Sequence, residues 1–212
     1  MSESSNKAPH SAARITSLLN RLVHLVARHW LLLANAVMAL YAAFPALAPV
    51  LMATGYTSAA RLIYSLFRPL CHQLPERSFF LFGPQFSYTL EELERLAGPD
   101  VPLRYVGSRT IGYTTAVCQR DMATYVAILL TGLAFVLVRR RLKPLPIKAF
   151  LLFCVPMVID GSGQLFALWE STWWSRVLSG SLFGVACVWL AYPYIEAGMS
   201  DVLRTLLSER PS

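Results

Sequence analysis

An all-α membrane protein with four spanning helices is the fold class this sequence predicts, and three observations carry it. Of its 212 residues, 55% are apolar and 15% are charged, where a soluble domain averages about 45–50% and about 25%. Four stretches, 30–53, 122–138, 149–169 and 173–195, come close to the roughly 20 apolar residues that a helix needs to cross the hydrocarbon. The basic residues sit mainly in short segments beside those stretches, which is how charge sets membrane topology. The partner this composition demands is a lipid bilayer. A net charge of +7 without a basic face argues against nucleic acid.

The chain divides into a tail (1–29), a membrane domain (30–195) and a second tail (196–212). Residues 1–12 are polar and expected to be disordered. Next, Ile15, Leu18, Leu19, Leu22, Leu25 and Val26 recur at helical spacing, with Arg14, Arg21 and Arg28 elsewhere on the wheel. That pattern predicts a basic amphipathic helix leading into the first span. The first apolar run is too long for a signal h-region and no cleavage site follows it, so no cleaved leader is expected. Pro45 and Pro49 are expected to kink the first span. Between spans two and three lies RRRLKPLPIK, with five basic residues; between spans three and four lies EST, with none. The positive-inside rule puts the first loop and both tails in the cytoplasm, the location expected being a bacterial inner (plasma) membrane. Segment 54–121 is then extracytoplasmic. Its seven arginines weigh little, because long segments cross regardless of charge.

That segment predicts structure of its own. Over 57–72, Leu62, Ile63, Leu66, Phe67 and Leu70 make an apolar side, and Arg61, Ser65, Arg68 and His72 a polar stripe. This reads as a helix lying on the outer face. Residues 89–97 predict a short helix with Thr89 as N-cap and Glu92 as its capping-box partner. LRYVGSRTIGYTTAV predicts a hairpin turning near Gly107-Ser108. Residues 196–212 predict a short cytoplasmic amphipathic helix.

Placed on this topology, four separate pieces of chain send polar groups to one membrane level. Cys71, His72, Gln73 and Arg77 end the surface helix; Cys118, Arg120 and Asp121 precede span two; Asp160 and Gln164 lie in span three; Arg176 enters span four. A carboxylate inside a span costs roughly 2.5–3.5 kcal/mol on insertion scales and persists only if paired, hydrated or used. Asp160 and Gln164, four apart, share a helix face. Arg176 is the partner expected for Asp160, by the reach of its side chain. Gly180 and Gly184 form a GxxxG motif, expected to pack within the monomer.

Three readings of Cys71 and Cys118 stay open. Two thiols in an oxidising compartment most simply form a disulfide. Cys71, Cys118 and His72 are also metal-ligand types suited to zinc or copper, though adjacent Cys-His lacks the usual ligand spacing. A catalytic thiol pair would usually show CxxC, which is absent. Cys154 and Cys187, in the opposite halves of their spans, read as apolar packing residues. No phosphate loop, nucleophile elbow or zincin motif is present.

Read in order, Cys71-His-Gln-Leu-Pro-Glu-Arg77-Ser-Phe, Cys118-Gln-Arg120, Ile159-Asp160-Gly161 with Gln164, and Arg176 with Gly180 and Gly184 resemble the predicted bacterial and archaeal membrane proteins of domain of unknown function 2085. The resemblance covers about residues 30–195. Many members continue the second motif as Cys-x-Arg-Cys-x-Gly; this chain has Cys118-Gln-Arg-Asp-Met-Ala and so lacks one thiol. The resemblance implies the architecture and the polar cluster, and no activity. The function expected is that of a binding- or transport-related membrane protein. Its outward-facing site (His72, Gln73, Arg77, Arg120, Asp160, Gln164, Arg176) takes a small ligand or cation, alone or with a second copy or membrane partner. An envelope thiol-redox or metal-dependent enzyme and a structural subunit are the alternatives.

Overall fold

The computed structural model describes residues 8–208 apart from Ala167, with side chains from Arg14 onward. The disorder expected of residues 1–7 and the last four residues of the expected C-terminal helix lie outside the described residues. The elements in order are α1 (Ala8–Ala53), α2 (Thr57–Phe67), β1 (Ser78–Leu81), α3 (Leu90–Ala97), β2 (Gly107–Ser108), β3 (Gly112–Cys118), α4 (Gln119–Val138), α5 (Ile147–Leu165) and α6 (Trp173–Ser208).

Four of these, in α1, α4, α5 and α6, are long and apolar enough to cross a membrane. Only helices that bond their own backbone, or closed barrels, can do so. Outward from the bundle, Leu32, Leu40, Leu130, Leu137, Leu152 and Val158 are exposed, a surface that lipid rather than water must cover. Two expected boundaries fall differently. The basic amphipathic stretch is not a separate element: α1 runs unbroken from Ala8 into the first span, so residues 8–12 are helical rather than disordered. No Gly or Pro lies between Pro9 and Pro45, and nothing obliges a helix to stop where it leaves lipid. Likewise α6 continues to Ser208 with no separate tail helix. In contrast, α5 ends at Leu165, before Trp169.

The glycines set how close α6 comes to α4. A Cβ at Gly184 would lie 2.7 Å from the Thr124 carbonyl oxygen, and one at Gly180 would strike the Arg120 carbonyl. Only hydrogen atoms fit there, so the GxxxG face lies against α4 of the same chain. Thr124 seals the crossing, its hydroxyl 3.1 Å from the Gly180 carbonyl. At the end of the bundle near the arginine-rich connection, Trp30, Leu31, Phe135, Val188 and Tyr192 form an apolar core. Trp30 Nε1 donates to Glu196 at 2.8 Å.

The opposite end carries a three-stranded antiparallel sheet in the order β1-β3-β2. β3 (GYTTAVC) is aromatic and β-branched, a composition that suits strands, and is buried along nearly its whole length. The hairpin turns at 109–111, with Ser108 opposite Gly112, rather than at Gly107-Ser108. Gly112 there has φ +90°, a conformation that favours glycine. Strand β1 had no counterpart in the sequence reading, yet it is the main partner of β3, pairing Ser78 with Cys118 and Leu81 with Tyr113.

The apolar side expected of the surface helix is split. Ile63 and Phe67, with Ala60 and Tyr64, pack into a core with Ala48, Ala116 and Val117. Leu62, Leu66 and Leu70 form a second, exposed line. The helix itself ends at Phe67, so Arg68 and His72 of the expected stripe lie beyond it. Helix α3 has its capping box: the Glu92 amide donates to Thr89 Oγ1 at 3.2 Å, and the Thr89 amide to Glu92 Oε2 at 2.8 Å. Thr89→Ala is expected to cost about 1 kcal/mol, read as faster amide exchange over Leu90–Leu93. Unchanged exchange would show that packing of Leu93 alone holds this helix.

Candidate functional site

At the sheet-bearing end, α4, α5, α6 and the chain after α2 meet around a cavity of about 240 Å³. Its walls include His72, Gln73, Arg77, Arg120, Gln164 and Arg176. Cys71, Cys118 and Asp121 complete the polar lining. Six of the seven residues singled out as a ligand site therefore share one cavity. The seventh, Asp160, stands behind Arg120.

Asp160 is committed to its neighbours. One carboxylate oxygen accepts from Arg120, and the other from Ser171 and, at 2.7 Å, from Ser175. This corrects the expected pairing with Arg176. Partner choice depends on how α4, α5 and α6 are rotated about their axes, which spacing along the chain does not specify. The acid thus ties the start of α4, the body of α5 and the entry to α6 together.

Arg176 has a different environment. It is 6% exposed, and one of its terminal nitrogens donates to the Glu76 carbonyl at 3.0 Å and to Gln119 Oε1 at 3.1 Å. Both acceptors are neutral, and no carboxylate pairs with it among the described residues. Its Nε finds no acceptor, and neither do Arg120 Nε and Gln164 Nε2. Arg77 has Glu76 beside it at 3.8 Å. Arg77 and Arg176 also line a second cavity of about 600 Å³, bounded by Glu76, Glu92, Glu170 and Trp173.

Gln73 braces the site rather than presenting its amide to the cavity. Its Nε2 donates to the Tyr64 carbonyl at 2.7 Å and the Ala116 carbonyl at 2.9 Å, locking α2 onto β3. The backbone accepts φ +57° at Gln73 to do so. Fully buried Gln119 has an equivalent role, donating to the Ser78 carbonyl at 3.0 Å and Ser87 Oγ at 2.9 Å while accepting from Arg176. Gln119, Ser171 and Ser175 had no assigned role in the sequence reading. Small hydroxyl and amide groups leave no periodic signal, although Gln119 does stand between Cys118 and Arg120.

Cys71 and Cys118 are unbonded thiols. The Cys118 amide donates to Cys71 Sγ at 3.2 Å. Hydrogen bonding from Cys118 pulls the Cys71 thiol below its ordinary value; burial opposes this and the Gln73 backbone amide adds to it. The same thiol–thiol bond, then burial and the Asp121 carboxylate, push Cys118 up. Both sulfurs and an Asp121 oxygen lie within 4.8 Å of one another. His72, the third ligand expected from the sequence, is exposed on the cavity wall and outside this cluster. Asp121, one helical turn after Cys118, takes its place.

Fold and site thus define a polytopic helical membrane protein with an arginine-rich cavity at its sheet-bearing end. Residues 109–190 match the family described as predicted membrane protein, DUF2085, the family that the motifs resemble. The match includes Cys118, Arg120, Asp160, Gln164, Arg176 and both packing glycines, and begins after the Cys71-His72-Gln73 stretch. An uncharacterized protein of the archaeon Methanocaldococcus jannaschii, MJ1492, is 26% identical over 133 residues, 62% of this chain and 67% of the relative. No solved structure matches the chain.

Proposed function

We propose that this membrane protein binds a small anionic ligand in the 240 Å³ cavity, with the sheet-bearing end facing away from the cytoplasm and both tails inside. The single observation that carries the reading is Arg176, a buried guanidinium held only by neutral oxygens. A buried charge without a counter-charge costs several kcal/mol, and a carboxylate or phosphate oxygen in the cavity relieves it. The orphan Nε of Arg120 and Nε2 of Gln164 add to a surplus of donors. Three guanidinium groups against one carboxylate on the wall favour an anion over the cation that the sequence left open. The arginine-rich connection 139–143 at the opposite end supports the orientation. Four spans enclose little path, so the reading is one of binding, with transport requiring a second copy or a membrane partner.

The test is thermal unfolding of the full chain in detergent micelles, titrated with inorganic phosphate and with acetate. Wild type gains stability as the anion saturates it, about 2.7 kcal/mol at a concentration 100 times Kd. Arg176→Met melts at least as high as wild type without anion, because an uncompensated charge has been removed, and loses the anion response. A wild type that responds to sodium or calcium but to neither anion would overturn the reading.

A further inference from the structure

We propose that Cys71, Cys118 and Asp121 form a site for one thiophilic divalent cation of the zinc type, with its fourth coordination position open to the cavity. Three donor atoms within 4.8 Å of one another are close to the arrangement needed. Metal–sulfur distances of about 2.3 Å and metal–oxygen distances of about 2.0–2.2 Å in a tetrahedron place neighbouring donors roughly 3.5–3.8 Å apart. Small side-chain rotations close the difference.

The donors are held from two sides. Cys118 is the N-cap of α4 and Asp121 lies in that helix's first turn, so the two share a face at spacing i, i+3. The positive end of the helix favours the charge that both donors carry when metal-bound. Cys71 comes from the chain after α2, positioned by the Gln73 amide bonds to Tyr64 and Ala116. The Cys118 backbone amide, 3.2 Å from Cys71 Sγ, is an outer-sphere donor of the kind that orients a thiolate ligand.

A disulfide would use the same two sulfurs, but it gives Asp121 nothing to do. The Asp121 carboxylate makes no ion pair or hydrogen bond among the described residues, although it stands beside two thiols. The metal reading accounts for all three groups. Loading releases two thiol protons to solvent and binds one dication, so the charge of the cavity is unchanged. The anion reading neither supports nor depends on this site.

The experiment titrates the chelator-stripped, fully reduced chain in micelles with cobalt(II), followed by zinc. Wild type takes up one equivalent, shows thiolate-to-cobalt charge-transfer absorption, and loses that absorption to zinc. Cys71→Ser and Cys118→Ser abolish the band. Asp121→Asn weakens binding by more than the roughly 10–100-fold typical of losing an outer-shell partner, and His72→Ala leaves it unchanged. Circular dichroism confirms that each variant is folded; if a cysteine variant is not, the wild-type titration and Asp121→Asn still decide. A reduced wild type without a thiolate band, an Asp121→Asn with wild-type affinity, or protein from native membranes already crosslinked between residues 71 and 118 would each overturn the site. The phosphate response of Arg176→Met is read on separate samples, so one proposal can fail without the other.

Discussion

Asp160→Ala is expected to destabilise the folded protein by about 3–5 kcal/mol, the usual effect of removing one partner from a buried ion pair. The Asp160 and Arg120 side chains are only 8% and 16% exposed. The substitution leaves a guanidinium whose Nε already lacks an acceptor, and it strands the hydroxyls of Ser171 and Ser175. Three pieces of chain then lose their common tie. Reversible unfolding in mixed detergent micelles gives the number. A loss below about 1 kcal/mol, the size of one ordinary hydrogen bond, would contradict the account. The double variant Arg120→Met/Asp160→Leu should recover most of the deficit, because replacing both partners by apolar groups removes the desolvation penalty with the attraction.

Gly180→Val is the second large effect. The new Cβ would strike the Arg120 carbonyl and lie 3.0 Å from Thr124 Oγ1. Overpacking a well-fitted core costs about 1–3 kcal/mol, and here the obstacle is backbone, which cannot rotate aside. α6 has to move away from α4, so Arg176 separates from Gln119. Loss of the phosphate response should therefore accompany the loss of stability. Gly198→Ala, in the same helix, is the control. Nothing lies within 4 Å of its added carbon, and the change should gain up to about 1 kcal/mol from helix propensity. A Gly180→Val protein as stable as wild type would mean that α4 and α6 are not held at this crossing.

The architecture was legible because bilayer thickness imposes a length on apolar runs. The α3 cap was legible because Thr89 and Glu92 form a local motif. That Cys71, His72, Gln73, Cys118, Arg120, Asp121, Gln164 and Arg176 line one cavity is foreshadowed by topology, which brings distant segments to one membrane level. What stayed hidden depends on rotation and register. Whether Asp160 faces Arg120 or Arg176 turns on a fraction of a helical turn. β1 is too short and too uniformly apolar to announce pairing with a strand more than 30 positions later. Asp121 was visible as a residue, but its approach to Cys71 depends on where α2 docks.

Helix α1 also has a mechanical property. Its 46 residues span about 69 Å at 1.5 Å per residue, more than twice the roughly 30 Å hydrocarbon thickness. From Arg14 to Val26 it is exposed except for half-buried His24, and it enters the core at Ala27 and Trp30. The portion from Arg14 to Trp30 is thus a stiff lever about 24 Å long with its fulcrum in the bundle. A change of about 20° in span inclination, the ordinary tilt of membrane helices, sweeps its tip through about 8 Å.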